Sequence, residues 1–225
     1  MREPESSARD VAIQAEGVRL PGSLTLPAAP RGIVLFAHGS GSSRTSPRNV
    51  FVARTLHDAG VGTLLFDLLT PAEDRVYATR FDIPLLAGRL ADATAWLRGE
   101  GEVANVPLGY FGASTGAGAA LLAAAMPGAP ISAIVSRGGR PDLAGAQALA
   151  RVTAPTLLIV GGEDHDVIAL NRAAYAHLVC PRQLEIVPGA THLFEEPGTL
   201  EVVARLAAAW FRRWLGADER APPAH

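Results

Sequence analysis

Short, continuously apolar runs alternate along this chain with longer stretches that carry apolar residues on one side only. Val11–Ala15 and Val18–Leu26, separated by Glu16–Gly17, read as an antiparallel hairpin. Gly32–Ala37 (GIVLFA), Val61–Phe66, Leu108–Phe111, Ile131–Val135, Thr156–Val160 and Gln183–Val187 read as strands, the most apolar of them as strands buried on both faces. Between them lie predicted helices at Asn49–Ala59, Leu85–Leu97, Thr115–Met126, Val167–Leu178 and Leu200–Leu215. Leu86, Leu90, Ala93 and Leu97 share one helical stripe, as do Val203, Leu206, Ala207, Trp210 and Trp214. Strands alternating with helices imply an α/β fold: a mostly parallel sheet covered on both faces. No repeat or linker interrupts the pattern, so residues 1–225 are read as one domain, with 1–10 and 217–225 as frayed tails.

Composition narrows the chemistry. With 48% hydrophobic and 19% charged residues, the chain is too apolar to be disordered. All 20 basic residues are arginine, which removes Schiff-base lysines, a phosphate-loop lysine and a Ser–Lys dyad. A net charge of −2 without an arginine stripe gives no reason to expect a nucleic acid partner. Cys180 is the sole cysteine, so neither an intrachain disulfide nor a cysteine-based zinc cage is possible. The polar N-terminus MREPESSARD has no apolar signal core, and the most apolar stretch, Ala117–Met126, is about half of what a bilayer requires. A cytoplasmic location without membrane attachment is expected.

In open parallel sheets, ligands bind beyond the carboxyl ends of the strands, so the residues after each strand are the place to look. Gly112–Ala113–Ser114–Thr115–Gly116 joins a strand to a helix of small residues. The pattern G-x-S-x-G alone is expected roughly 0.1 times by chance at this composition, but the strand–turn–helix setting makes it a nucleophile elbow. A serine hydroxyl needs a base, and His192 follows the last predicted strand. The base needs a carboxylate to orient it. Glu163, Asp164 and Asp166 crowd the segment after Thr156–Val160; Asp164 is favoured, because Asp166 suits the first turn of the next helix. A metal reading of Glu163–Asp166 is weak, because consecutive side chains diverge. The order Ser114, Asp164, His192 is nucleophile, acid, base. Oxyanion donors are expected from the main-chain N–H of Thr115 and from Ser40 in the loop His38–Gly–Ser–Gly–Ser–Ser.

The same loop imitates a dinucleotide fingerprint, with Gly39, Gly41 and Asp67 spaced suitably. Arg44 stands where a third glycine belongs, and Pro47 delays the helix, which disfavours a nucleotide-dependent oxidoreductase. A hydrolase scaffold serving only as a ligand-binding module is the other alternative.

The segments FAHGSGSSRTSPRN, GYFGASTGAGAA, LLIVGGEDHDVIALN and VPGATHLFEEPG resemble those of the α/β-hydrolase superfamily, within it the dienelactone-hydrolase-like branch, and the likeness runs from about Val11 to Leu215. The resemblance implies an eight-stranded sheet, the triad Ser114, Asp164 and His192, oxyanion donors Ser40 and Thr115, small ester or lactone substrates, and neither metal nor organic cofactor. Dienelactone hydrolases proper carry a cysteine nucleophile, whereas position 114 is serine, so the name does not license dienelactone as substrate. Only about twenty residues separate Val135 from Thr156, too few for a large lid, which favours small soluble acyl esters. Arg44 and Arg137, together with Arg48 and Arg140, are placed near the expected rim, where they would pair with a substrate carboxylate or with neighbouring acids. Tyr77 and Phe81, in the long loop Leu69–Ile83, are expected to line the acyl pocket.

Overall fold

In the computed structural model, residues 7–216 are described; the expected frayed tails at 1–6 and 217–225 lie outside the described residues. Residues 7–10, expected to fray with them, belong to the first strand. Eight strands form one sheet: β1 (Ser7–Ala15), β2 (Val18–Leu26), β3 (Ile33–Ala37), β4 (Gly62–Phe66), β5 (Leu108–Ala113), β6 (Ile131–Arg137), β7 (Thr156–Gly161) and β8 (Arg182–Val187). Their spatial order is β1-β2-β4-β3-β5-β6-β7-β8. β1 and β2 pair antiparallel, β2 joins β4 antiparallel, and every pairing from β4 to β8 is parallel.

The helices are α1 (Pro47–Asp58), α2 (Pro71–Asp74), α3 (Ile83–Gly99), α4 (Thr115–Ala124), α5 (Ala146–Leu149), α6 (His165–His177) and α7 (Thr199–Leu215). Every residue of β3, β4, β5 and β7 is buried, which is why these strands are apolar without alternation. On one face, the stripe Leu86, Leu90, Ala93 and Leu97 of α3 packs with α4 against Leu35, Leu64 and Tyr110. On the other, Val52 and Leu56 of α1 and Val203, Ala207 and Phe211 of α7 cover Phe36, Phe111 and Val135. None of the helices among the described residues is long and apolar enough to cross a membrane.

From β3 the chain crosses to β4 on one side and then returns past β3 to β5. The strand order therefore reverses between β3 and β5, which opens a crevice above their carboxyl ends. Two loops leave from there: 38–46 after β3 and the elbow at Ser114 after β5.

The long loop 69–83 is more structured than its composition suggests. Thr70 and Glu73 close a reciprocal capping box at α2, with Glu73 N–H donating to Thr70 Oγ1 at 3.3 Å and Thr70 N–H donating to Glu73 Oε2 at 2.7 Å. Buried Arg89 of α3 then donates to Glu73 Oε1 at 3.0 Å and to the Ala15 carbonyl at 2.6 Å, tying this loop to the hairpin.

Candidate active site

Ser114 sits at φ 50°, ψ −121°, a left-handed conformation that costs a residue with a Cβ about 1–3 kcal/mol. The flanking glycines make the turn possible. A Cβ on Gly112 would lie 2.5 Å from Ala117 Cα, and one on Gly116 would lie 2.1 Å from the Ala37 carbonyl oxygen. The elbow is pinned through its backbone: Ser114 N–H donates to the Arg137 carbonyl at 3.3 Å, and its own carbonyl accepts from Arg140 N–H at 3.0 Å. The side chain is thereby projected from the N-cap position of α4.

His192 and Asp164 are brought together as expected from their order, with His192 Nδ1 donating to Asp164 Oδ2 at 2.6 Å. Asp164 occupies the N-cap position of α6, yet its side chain caps nothing, which leaves the carboxylate for the imidazole. Asp166 stands in the first turn of that helix, and Glu163 is exposed. With Nδ1 engaged, Nε2 is the ring nitrogen left for substrate chemistry. Ser114 and His192 line one cavity of about 680 Å³, together with Gly39, Ser40, Ser46, Arg48 and Arg137. Among the described residues no hydrogen bond links the Ser114 hydroxyl to His192; catalytic contacts of this kind often tighten only when substrate is bound.

A residue that sequence reasoning missed braces the histidine loop. Glu196 accepts from Thr191 N–H at 3.1 Å and from Thr191 Oγ1 at 2.6 Å, and these bonds hold its carboxyl below the usual glutamate range. Its neighbour Glu195 reaches α1 to accept from Arg48 Nη1 at 2.9 Å. Thr191 five residues before Glu196 was the only local signal.

The loop after β3, from which an oxyanion donor is expected, is held by His38. Its Nε2 accepts from Leu68 N–H at 3.0 Å, so Nδ1 carries the proton and donates to the Gly39 carbonyl, also at 3.0 Å. The expected donors are adjacent but engaged with one another: Ser40 N–H donates to Thr115 Oγ1 at 2.9 Å. Ser40 would reach an oxyanion by turning from that hydroxyl or sharing with it. Thr115 N–H, at the first helical position, has no partner to lose within the helix.

Burial depresses the His38 pKa, and burial likewise depresses that of His57, whose Nε2 meets Thr63 Oγ1 at 2.8 Å. Both therefore take up protons less readily folded than unfolded, where a histidine titrates near about 6.5. Below that value the unfolded chain binds more protons, so stability is full above it and declines as pH falls through it. A urea midpoint measured at pH 7.5 and at pH 5.5 should drop on acidification, and the drop should shrink in His38→Gln.

Two substrate-facing expectations need correction. Arg44 does not line the cavity: its N–H donates to Asp67 Oδ1 at 2.8 Å, its Nε lies 3.6 Å from Asp67 Oδ2, and its Nη1 donates to Ser23 Oγ at 3.2 Å. Tyr77 and Phe81 stack on each other with centroids 5.0 Å apart, are 72% and 42% exposed, and lie outside the cavity. These rings sit on the short turn Tyr77–Phe81 after α2, and Asp74 is the residue of that segment that faces the cavity. Arg140 takes the second of its two expected courses and pairs with a neighbouring acid, Asp142, with bonds of 2.8 and 2.7 Å. Arg137 does line the cavity.

No family model matches the chain. A Mycobacterium tuberculosis protein provisionally named a phosphoribosyl transferase is 60% identical over 209 residues, 93% of this chain but 47% of that protein, so the chain spans about half the length of such curated relatives. The esterase domain of a Rhodothermus marinus protein shares the fold at 21% identity and a TM-score of 0.76, covering 93% of this chain and all of that one. The crystal structure of a dienelactone hydrolase from Anabaena variabilis superposes with a TM-score of 0.89 at 52% identity, covering 93% of this chain and 98% of that one. The eight-stranded sheet, the elbow after β5 and this near full-length identity place the chain in the dienelactone-hydrolase-like branch of the α/β-hydrolase superfamily.

Proposed function

We propose that the protein is a serine hydrolase of the carboxylesterase or lactonase type, acting on small soluble acyl esters. The observation that carries this reading is the 2.6 Å His192–Asp164 bond at the wall of the cavity that also holds the strained Ser114. In this reading Ser114 Oγ attacks the ester carbonyl while His192 Nε2 takes its proton. The carbonyl oxygen becomes an oxyanion that receives Thr115 N–H, with Ser40 N–H joining as it leaves Thr115 Oγ1. His192 returns the proton to the departing alcohol. Water, deprotonated by the same nitrogen, then attacks the acyl carbonyl; the acyl–Ser114 bond breaks, His192 returns the proton to Ser114 Oγ, and the carboxylic acid is released.

The transferase name of the mycobacterial relative belongs to a protein of which this chain matches less than half, and the Ser114–His192–Asp164 arrangement supports hydrolysis instead. A fluorophosphonate probe tests the reading without knowledge of the substrate. Labelling should map to Ser114 and vanish in His192→Ala; a folded protein that resists the probe would sink it. Asp164→Asn keeps the shape of the site but lets His192 adopt the wrong tautomer, so turnover of short-chain 4-nitrophenyl esters should fall by about three to four orders of magnitude.

A further inference from the structure

One end of the cavity carries positive charge that catalysis does not use. In β6, Ala133, Val135 and Arg137 share a face by the two-residue period of a strand. The first two enter the apolar core beneath α1 and α7, so Arg137 continues that row and is 6% exposed. Its Nε is buried without a partner, its Nη2 gives one long bond of 3.5 Å to Asn49 Oδ1, and its carbon lies 6.0 Å from the Phe194 ring centroid. Among the described residues no carboxylate pairs with it. Asp74, the acidic residue lining the cavity, is engaged with Arg80 at 3.1 Å, while Asp164 bonds His192 and Glu195 bonds Arg48. An uncompensated buried guanidinium is costly, and such a group persists where a ligand supplies the opposite charge.

The N-terminus of α1 meets Arg137 at the same wall. Ser46, Pro47 and Arg48 line the cavity. The Ser46 side chain makes no capping bond, and the first turn holds no acidic residue. The first i to i−4 bond is from Val50 N–H to the Ser46 carbonyl at 2.9 Å, so the N–H groups of Arg48 and Asn49 precede it and have no helical acceptor. Arg48 lies close enough for its charge to act on Arg137. That charge and, above all, burial bring the Arg137 guanidinium down to about 10, which leaves it cationic at neutral pH.

We propose that this wall is a phosphate subsite, and that the ester cleaved at Ser114 carries a phosphate group bound by Arg137, Arg48 and the first turn of α1. The proposal rests on the hydrolase reading for the ester and on the wall itself for the phosphate. Guanidinium, hydroxyl and first-turn amide donors belong to this one wall, and a set of more than two donors suits the three oxygens of a tetrahedral group better than the two of a planar carboxylate.

Three 4-nitrophenyl esters of matched length test it: hexanoate, monoadipate and 5-phosphonopentanoate. The phosphonate-tailed ester should exceed the hexanoate in kcat/KM by about tenfold or more, and this ratio should collapse in Arg137→Gln and fall in Arg48→Gln, since losing a charged hydrogen bond costs on that order. Arg48 is at the rim, so its variant keeps the test open if Arg137→Gln does not fold. A ratio near one in the unaltered protein, or a ratio that survives Arg137→Gln, overturns the subsite. Faster cleavage of the adipate than of the phosphonate overturns the choice of phosphate. Calorimetric titration of inorganic phosphate into Ser114→Ala needs no turnover. Binding that disappears when Arg137→Gln is added supports the subsite even if no ester is cleaved, and absence of binding at millimolar phosphate counts against it.

Discussion

Ser114→Ala should lower kcat on any cleaved ester by about four to six orders of magnitude while the fold persists. Cys180, the lone cysteine, would not substitute for Ser114, because it is buried and its thiol donates to Thr156 Oγ1 at 3.7 Å, at the amino end of β7 rather than at the carboxyl ends of the strands. Ser114→Gly separates the chemical role from the conformational one. It removes the hydroxyl and also the Cβ that makes φ 50° unfavourable, so it should abolish turnover yet raise stability by about 1 kcal/mol over Ser114→Ala. Urea unfolding of the two variants beside an ester assay decides this. Equal stabilities would show that the elbow relaxes around the side chain.

Gly116→Ala should be the most damaging single-methyl change. The new Cβ would meet the backbone oxygens of Ala37 at 2.1 Å and His38 at 2.6 Å, and neither belongs to a side chain able to rotate away. α4 would have to lift off the end of β3, at a cost of about 3 kcal/mol. Ala37 and His38 lead directly into loop 38–46, which the hydrolase reading uses for an oxyanion donor, so the folded remainder should also lose fluorophosphonate labelling. Gly88→Ala is the control: it lies inside α3 with nothing within 4 Å of a new Cβ and should raise stability by about 1 kcal/mol. Denaturant midpoints of both variants give the comparison.

The contrast between legible and illegible parts has a physical cause. Strands buried on both faces and helices with one apolar stripe are local patterns, so the sheet and its long helices could be read from composition and period. Ser114, Asp164 and His192 were placed by their positions just after strands, and the structure gathers them at one end of the sheet because parallel strands align those ends. The choice among arginines had no such rule. Arg44 and Arg48 are four residues apart, and only the position of Asp67, after the next strand, diverts the first of them. Tyr77 and Phe81 face outward on a short turn that follows α2, whose capping-box signature T-x-x-E stands in the sequence at Thr70 and Glu73. The period of β6 already aligned Arg137 with Val135, but its lack of a partner is a fact of three dimensions. So is the bond from Ser40 to Thr115, which joins residues far apart in the chain.

The reversal of strand order between β3 and β5 has a consequence for how activity is acquired. Loop 38–46, Ser114, Asp164 and His192 each follow a different strand, and the last of these, β8, sits at the sheet edge opposite β1. No half of the chain holds a working site. Contacts so distant in sequence close late in folding, after the loops between them have lost their freedom. Under the hydrolase reading, activity would report on the completed sheet, and refolding chains should become compact before they become active.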